Sequence, residues 1–221
     1  MFHVKQFLVV LILIPIFSFS QGSMQLEDKP FTSKQARVKT VDTFLASFKS
    51  FKSYSQDEQA FFYWVNVLRA NPPAFKEQII EPFLASFPEA NSNYARSLLN
   101  DLSNQEPLPL VEPNALLTKA TEEHAYDLVH NQKGISHSSS DGRSFQQRMK
   151  DAGVTKCAGE NILEGNKDPL KAIIMLLIDQ GVPDKGHRKA LLNPSFNLMG
   201  CTILAKSNSD DHILVQLFSC K

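Results

Sequence analysis

The chain has 221 residues, with 23 lysines and arginines balanced by 23 aspartates and glutamates, so its formal net charge is zero. Such a chain has no global field to draw it to nucleic acid or to an anionic membrane, and neither partner is expected. Its 43% hydrophobic content is that of an ordinary globular protein with a sizeable core.

The chain opens with Lys5, then the unbroken run "FLVVLILIPIF", then small residues at Ser18 and Ser20. That order predicts a signal peptide over residues 1–20, cleaved near Ser20–Gln21. The run is short for a membrane span and contains Pro15. The expected product is secreted or periplasmic, without a transmembrane segment in the mature chain, and monomeric. Residues 21–54 are predicted to form a partly flexible N-terminal extension, with a marginal helix around Val41, Phe44, Leu45 and Phe48. Residues 55–221 are predicted to form the main domain.

That domain begins with a capping-box pattern, Ser55 to Glu58, opening a helix that buries Phe61, Val65 and Leu68 and stops before Pro72. Two helical patterns follow between residues 73 and 107. A longer one, "EPNALLTKATEEHAYDLVHNQKG", ends at Gly134. After the loop "ISHSSSDG" come a short helix, "SFQQRMKDAG", and a short strand, "GENILEG". Asp168 and Pro169 supply an N-cap and first-turn pair for "LKAIIMLLIDQG". "RKALLN" predicts a small helix, and "MGCTILAK" and "HILVQLFSCK" predict a closing hairpin around "SNSDD". Helices first and a small antiparallel sheet last give an α+β class.

Three cysteines, Cys157, Cys201 and Cys220, fall in the exported part. The predicted hairpin brings Cys201 and Cys220 near each other, so these two are expected to pair. Closing that loop would contribute about 3 kcal/mol in the chain-entropy model. Cys157 is then expected to be a small buried thiol rather than a nucleophile.

Four polar residues stand at the ends of regular elements. His137 lies in a serine-rich loop. Glu160 opens an apolar strand after Gly159, where a carboxylate must be paired, hydrogen-bonded or facing a cleft. Gly159 is read as allowing a tight turn. Asp179 ends an apolar helix, where the dipole prefers cations. His187 lies in "DKGHRKALLNP", either as a helix-start residue or aimed at distant partners. His124 falls on the buried face of its helix and His130 in solvent. No HExxH pair is present, so spacing alone gives a weak metal signal.

The stretches "LLTKATEEHAYDL", "SHSSSDGRSFQQRMKDAG", "AGENILEG" and "LLIDQGVPDKGHRKALLNPSFNLMGC", with Asn66 and Arg69 on the first helix, occur together in this order. In that ordered set the chain resembles the CAP superfamily of cysteine-rich secretory, antigen and pathogenesis-related proteins, specifically its bacterial SCP-like extracellular branch. The resemblance covers about residues 58 to 221. It implies an α-β-α three-layer sandwich with an open cleft lined by His137, Glu160, His187 and an acid at the position of Asp179. There the family usually has glutamate, so the shorter side chain is a departure.

The resemblance further implies that these four residues hold a divalent cation, zinc first. His124, Asn161 and Arg188 would be structural neighbours of the cleft, and Cys201–Cys220 the retained disulfide. Three functions stay open: a secreted module binding a lipid, peptide or glycan; a metal-assisted hydrolase with Glu160 as general base; and an envelope-directed or antagonistic protein-interaction factor. A serine nucleophile from Ser138, Ser139 or Ser140 is disfavoured, because clustered loop serines are usually turn formers.

Overall fold

A computed structural model describes residues 26–221 apart from Lys133, Asn166 and Asn208. The expected signal peptide and its cleavage site lie outside the described residues. Among those residues no helix is long and apolar enough to cross a membrane.

The first long helix shows how the sequence starts its elements. Ser55 accepts the Glu58 backbone N–H, and the Glu58 carboxylate accepts the Ser55 N–H at 2.9 Å, closing the predicted capping box. Helix α2 (Gln56–Ala70) follows, preceded by α1 (Lys39–Ala46). Next come α3 (Pro72–Phe75), α4 (Glu81–Ser86) and α5 (Asn93–Asn104), then the short strand β1 (Glu112–Pro113). Helix α6 (Ala115–His130) is capped by Asn114, and α7 (Phe145–Asp151) by Ser144. Strand β2 (Ala158–Gly165) leads to α8 (Pro169–Ile178), α9 (Gly186–Leu191), β3 (Leu198–Ala205) and β4 (His212–Ser219). Asp168 caps α8 and Pro169 is its first residue, as expected.

The four strands form one sheet in the order β1-β3-β4-β2, with β1 parallel to β3 and the other pairs antiparallel. Strand β4 is buried along nearly its whole length because both faces of the sheet are covered. Ile213 and Val215 pack with Ala125 and Leu128 of α6. Leu217 packs with Leu117 and Ala120 of α6 and Met149 of α7. The alternate residues Leu214 and Phe218 join the main core with α2 and α8. These are the three layers of the expected α-β-α sandwich. Gly200 allows a close contact between layers: a Cβ there would stand 2.4 Å from the Leu117 carbonyl carbon and the Thr118 nitrogen.

Residues 26–54 are docked. Phe31, Val41, Leu45 and Tyr54 belong to the main core, and the Phe31 ring meets Phe83 edge-on at 5.2 Å. Residues 73–107, helical as expected, supply Phe83 and Phe87 to that contact.

The disulfide differs from expectation. Cys157 is bonded to Cys220, and Cys201 is a buried free thiol. Strand register explains the correction. In the β3–β4 hairpin Leu198 faces Ser219 and Cys201 faces Gln216, so Cys201 and Cys220 are out of step by four residues. Across the other edge of β4, Ala158 faces Ser219, and one further step sets Cys157 opposite Cys220, with Cα atoms 5.7 Å apart. Burial pushes the Cys201 thiol pKa well up.

Candidate functional site

Strand β2 is an edge strand, and its neighbouring residues Glu160 and Asn161 point to opposite faces. Glu160 shares the α6–α7 face with its cross-strand partner Leu217. Its carboxylate is almost wholly buried, at 1% exposure, while the His137 side chain is 58% exposed. Glu160 Oε1 accepts His137 Nδ1 at 2.8 Å, and Arg148 Nη2 lies 2.8 Å from both carboxylate oxygens. Arg148 Nη2 also donates to the His137 carbonyl at 3.0 Å, so it ties the loop to α7. Gly159 has an ordinary extended backbone; a Cβ there would stand 2.9 Å from the Phe196 ring, so close approach rather than a turn requires the glycine.

On the other face stands a second pair. Asp179 follows α8 in a left-handed conformation, φ 57°, which brings its carboxylate to the start of α9. There it accepts His187 Nδ1 at 2.6 Å, the His187 backbone N–H at 2.9 Å and the Arg188 N–H at 3.2 Å. The unfavourable place at the C-terminal end of one helix is thus a favourable one at the N-terminus of the next. His187 is therefore both a helix-start residue and an aimed one. Asn161 links the pairs along β2: its Nδ2 donates to Gln216 Oε1 at 2.9 Å and lies 3.5 Å from the His187 carbonyl.

Buried arginines brace this frame. Arg188 donates to the Leu177 and Ile178 carbonyls at the end of α8 and to Tyr94 O, Ser97 Oγ and Asp101 Oδ2 on α5. Arg69 donates to the carbonyls of Pro109, Leu191, Asn193 and Phe196. Burial lowers its pKa to about 10. His124 is buried and donates Nε2–H to the Ser136 carbonyl at 2.9 Å, holding the loop before His137. Burial lowers its pKa, Glu160 opposing and Arg148 reinforcing that shift. His130 is exposed and stacks on Tyr126.

The structure therefore gathers the four expected residues into two acid–histidine pairs. Among the described residues no cluster of three or more histidine, cysteine, aspartate or glutamate side chains is placed to hold a metal ion. The chemistry of the donors explains the division. A carboxylate oxygen accepts, so in each pair Nδ1 is the donor, and on a neutral ring the lone pair would then sit on Nε2. The oxygens of Glu160 and Asp179 are already taken by protein donors. As four direct ligands the residues do not fit a metal; as orienting groups behind two imidazoles the acids do. Sequence reasoning passed over Arg148 as part of an ordinary short helix. Its neighbours Gln147 and Met149 are ordinary for an amphipathic helix and do not single it out.

The sequence profile of the CAP family, described as the cysteine-rich secretory protein family, matches residues 63–218. The chain belongs to the CAP family. Several solved structures resemble it. An SCP-domain extracellular protein from Bacillus anthracis is 27% identical, with 52% of this chain and 35% of that one covered and a TM-score of 0.42. An outer surface protein of Borrelia burgdorferi is 18% identical, with 76% and 94% covered and a TM-score of 0.49. The CAP domain of enterococcal PrgA is 17% identical, with 58% and 56% covered and a TM-score of 0.38. The chain thus spans about a third of the Bacillus protein and nearly all of the Borrelia one. No curated protein matches the chain. The CAP assignment rests on the profile match and agrees with the layered fold.

Proposed function

We propose that this CAP protein is an exported binding module. In this reading a divalent cation sits at the open edge of β2, where His137 from one face and His187 from the other would offer their Nε2 atoms, next to an extracellular lipid, peptide or glycan. The observation that carries it is the use of both carboxylates: Glu160 and Asp179 each fix an Nδ1–H, the arrangement that orients metal-binding histidines. Neither Nε2 has a hydrogen-bond partner among the described residues. A borderline ion such as zinc suits two imidazoles with water completing its shell, and when bound it would supply a Lewis-acidic docking point for a ligand oxygen. Export is supported by the leader pattern of residues 1–20.

The hydrolase reading is weaker. A general base must reach a proton on substrate or water, and Glu160 is buried with both oxygens held by Arg148 and His137.

Calorimetric titration of the mature chain with zinc tests the proposal. Modest uptake is expected, abolished by His137→Ala or His187→Ala. Glu160→Gln and Asp179→Asn should weaken it by about 10- to 100-fold, the usual effect of losing an orienting partner. Uptake by His187→Ala equal to that of the wild type would refute it.

A further inference from the structure

The zero net charge of the chain conceals an uneven distribution. Residues 29–54 hold six of its 23 basic side chains, Lys29, Lys34, Arg37, Lys39, Lys49 and Lys52, but one of its 23 acidic ones, Asp42. That is a local charge of +5, which leaves −5 on the rest of the chain. Two of the six cations are paired, Lys29 with Glu27 and Arg37 with Asp42. Lys34, Lys39, Lys49 and Lys52 are exposed and have no ion-pair partner among the described residues.

The fold turns three of these lysines outward over α2. Val41 and Leu45 face the core from α1, and the Val38 N–H donates to the Tyr63 hydroxyl at 2.9 Å, so α1 lies on α2. A 3₁₀ turn at Lys49–Ser53 follows, and its Phe51 ring meets Phe62 of α2 edge-on at 6.1 Å. Residues three apart eclipse in such a turn, so Lys49 and Lys52 share an edge that Phe51 does not occupy. Lys39 projects from the solvent side of α1, away from Val41 and Leu45. Between these lysines in the chain stand Phe44 and Phe48, both half-buried, with ring centroids 5.1 Å apart. Phe48 joins no core cluster among the described residues.

The kind of cation selects the partner. The one arginine, whose fork suits a bidentate grip on phosphate, is spent on Asp42 and on the Tyr63 ring 3.7 Å away. The free cations are all lysines, point charges on flexible stems that act through their field. Lysines beside half-exposed phenylalanine rings suit a bilayer surface, where rings enter the headgroup boundary while ammonium groups reach the phosphates. The negative remainder of the chain is repelled by the same surface, which orients the docking.

We propose that residues 38–54 form a docking surface for an anionic phospholipid bilayer, with Lys39, Lys49 and Lys52 on the headgroups and the Phe44–Phe48 pair at the boundary with the acyl chains. The surface uses none of the residues of the proposed cation site and does not depend on it.

The test is co-sedimentation of the mature chain with vesicles of phosphatidylcholine, alone or mixed with phosphatidylglycerol. Binding is expected to the mixed vesicles only, and should be lost at about 1 M salt, where the Debye length is about 3 Å. Lys39→Gln, Lys49→Gln and Lys52→Gln should each weaken it about fivefold, the effect of removing one cation from an anionic surface. Lys49→Arg should bind like the wild type, and Phe48→Ser should weaken binding several-fold at unchanged charge. Circular dichroism reports whether each variant is folded. A single-stranded oligonucleotide supplies phosphates without a bilayer and should bind more weakly than the mixed vesicles. Equal binding to phosphatidylcholine, binding by folded variants unmoved by the lysine-to-glutamine changes or by Phe48→Ser, or tighter binding of the oligonucleotide would each overturn the proposal.

Discussion

Asp179 accepts from His187 twice, at the ring Nδ1 and at the backbone N–H, from a left-handed residue that joins two helices. The conformation costs a non-glycine residue roughly 1–2 kcal/mol, and the hydrogen bonds outweigh it. Asp179→Ala should therefore lower the unfolding free energy by about 2 kcal/mol or more, through loss of the cap and its charged acceptor. Asp179→Gly relieves the backbone but not the lost acceptor, so it should fall between alanine and wild type. A glycine variant more stable than wild type in urea denaturation would show that strain, not capping, dominates there.

Gly200 leaves no room for a side chain. A Cβ would lie 2.4 Å from backbone atoms of Leu117 and Thr118, which cannot rotate away. Gly200→Ala should force α6 off β3 and cost about 3 kcal/mol or more, the upper part of the overpacking range. A loss under about 1 kcal/mol in chemical denaturation would contradict the close packing.

The cysteine pairing gives a direct count. Folded protein should show no reactive thiol, because Cys157 and Cys220 are bonded and Cys201 is buried. Unfolding without reductant should expose one thiol. Cys220→Ala should destabilise by about 4 kcal/mol, the chain-entropy value for closing a loop across 63 residues. Peptide mapping that linked Cys201 to Cys220 would reverse the assignment.

His124 should make stability depend on pH. Its folded pKa lies below the ordinary imidazole value of 6.5 because burial penalises the charged ring. The unfolded chain then binds the extra proton as pH falls through 6.5, so stability is full above that value and declines below it. The slope from this residue is at most about 1.4 kcal/mol per pH unit. Folded His124→Phe protein should lose that part of the dependence; an unchanged profile would assign it to other groups.

Element identity was largely legible in the sequence. The Ser55–Glu58 box, the Asp168–Pro169 start and the near-continuous apolar run of β4 are local signals that survive folding, because they depend on neighbours a few residues away. The four polar residues of the candidate site each stood out in the sequence as an anomaly at the end of an element. Their roles did not. Whether Glu160 is a ligand or an orienting group depends on Arg148 and His137, which approach it from other elements.

What the sequence by itself determined is therefore the order and type of the elements and which polar residues are out of place among them. Hydrophobic period and capping chemistry act at short range, and they write themselves into adjacent positions. Tertiary structure decided the partners: Cys157 rather than Cys201 for Cys220, and the acid for each histidine. Those choices turn on strand register and on which faces meet across the sheet. A shift of one residue in register reverses the face of every side chain, and nothing local to Cys220 fixes it.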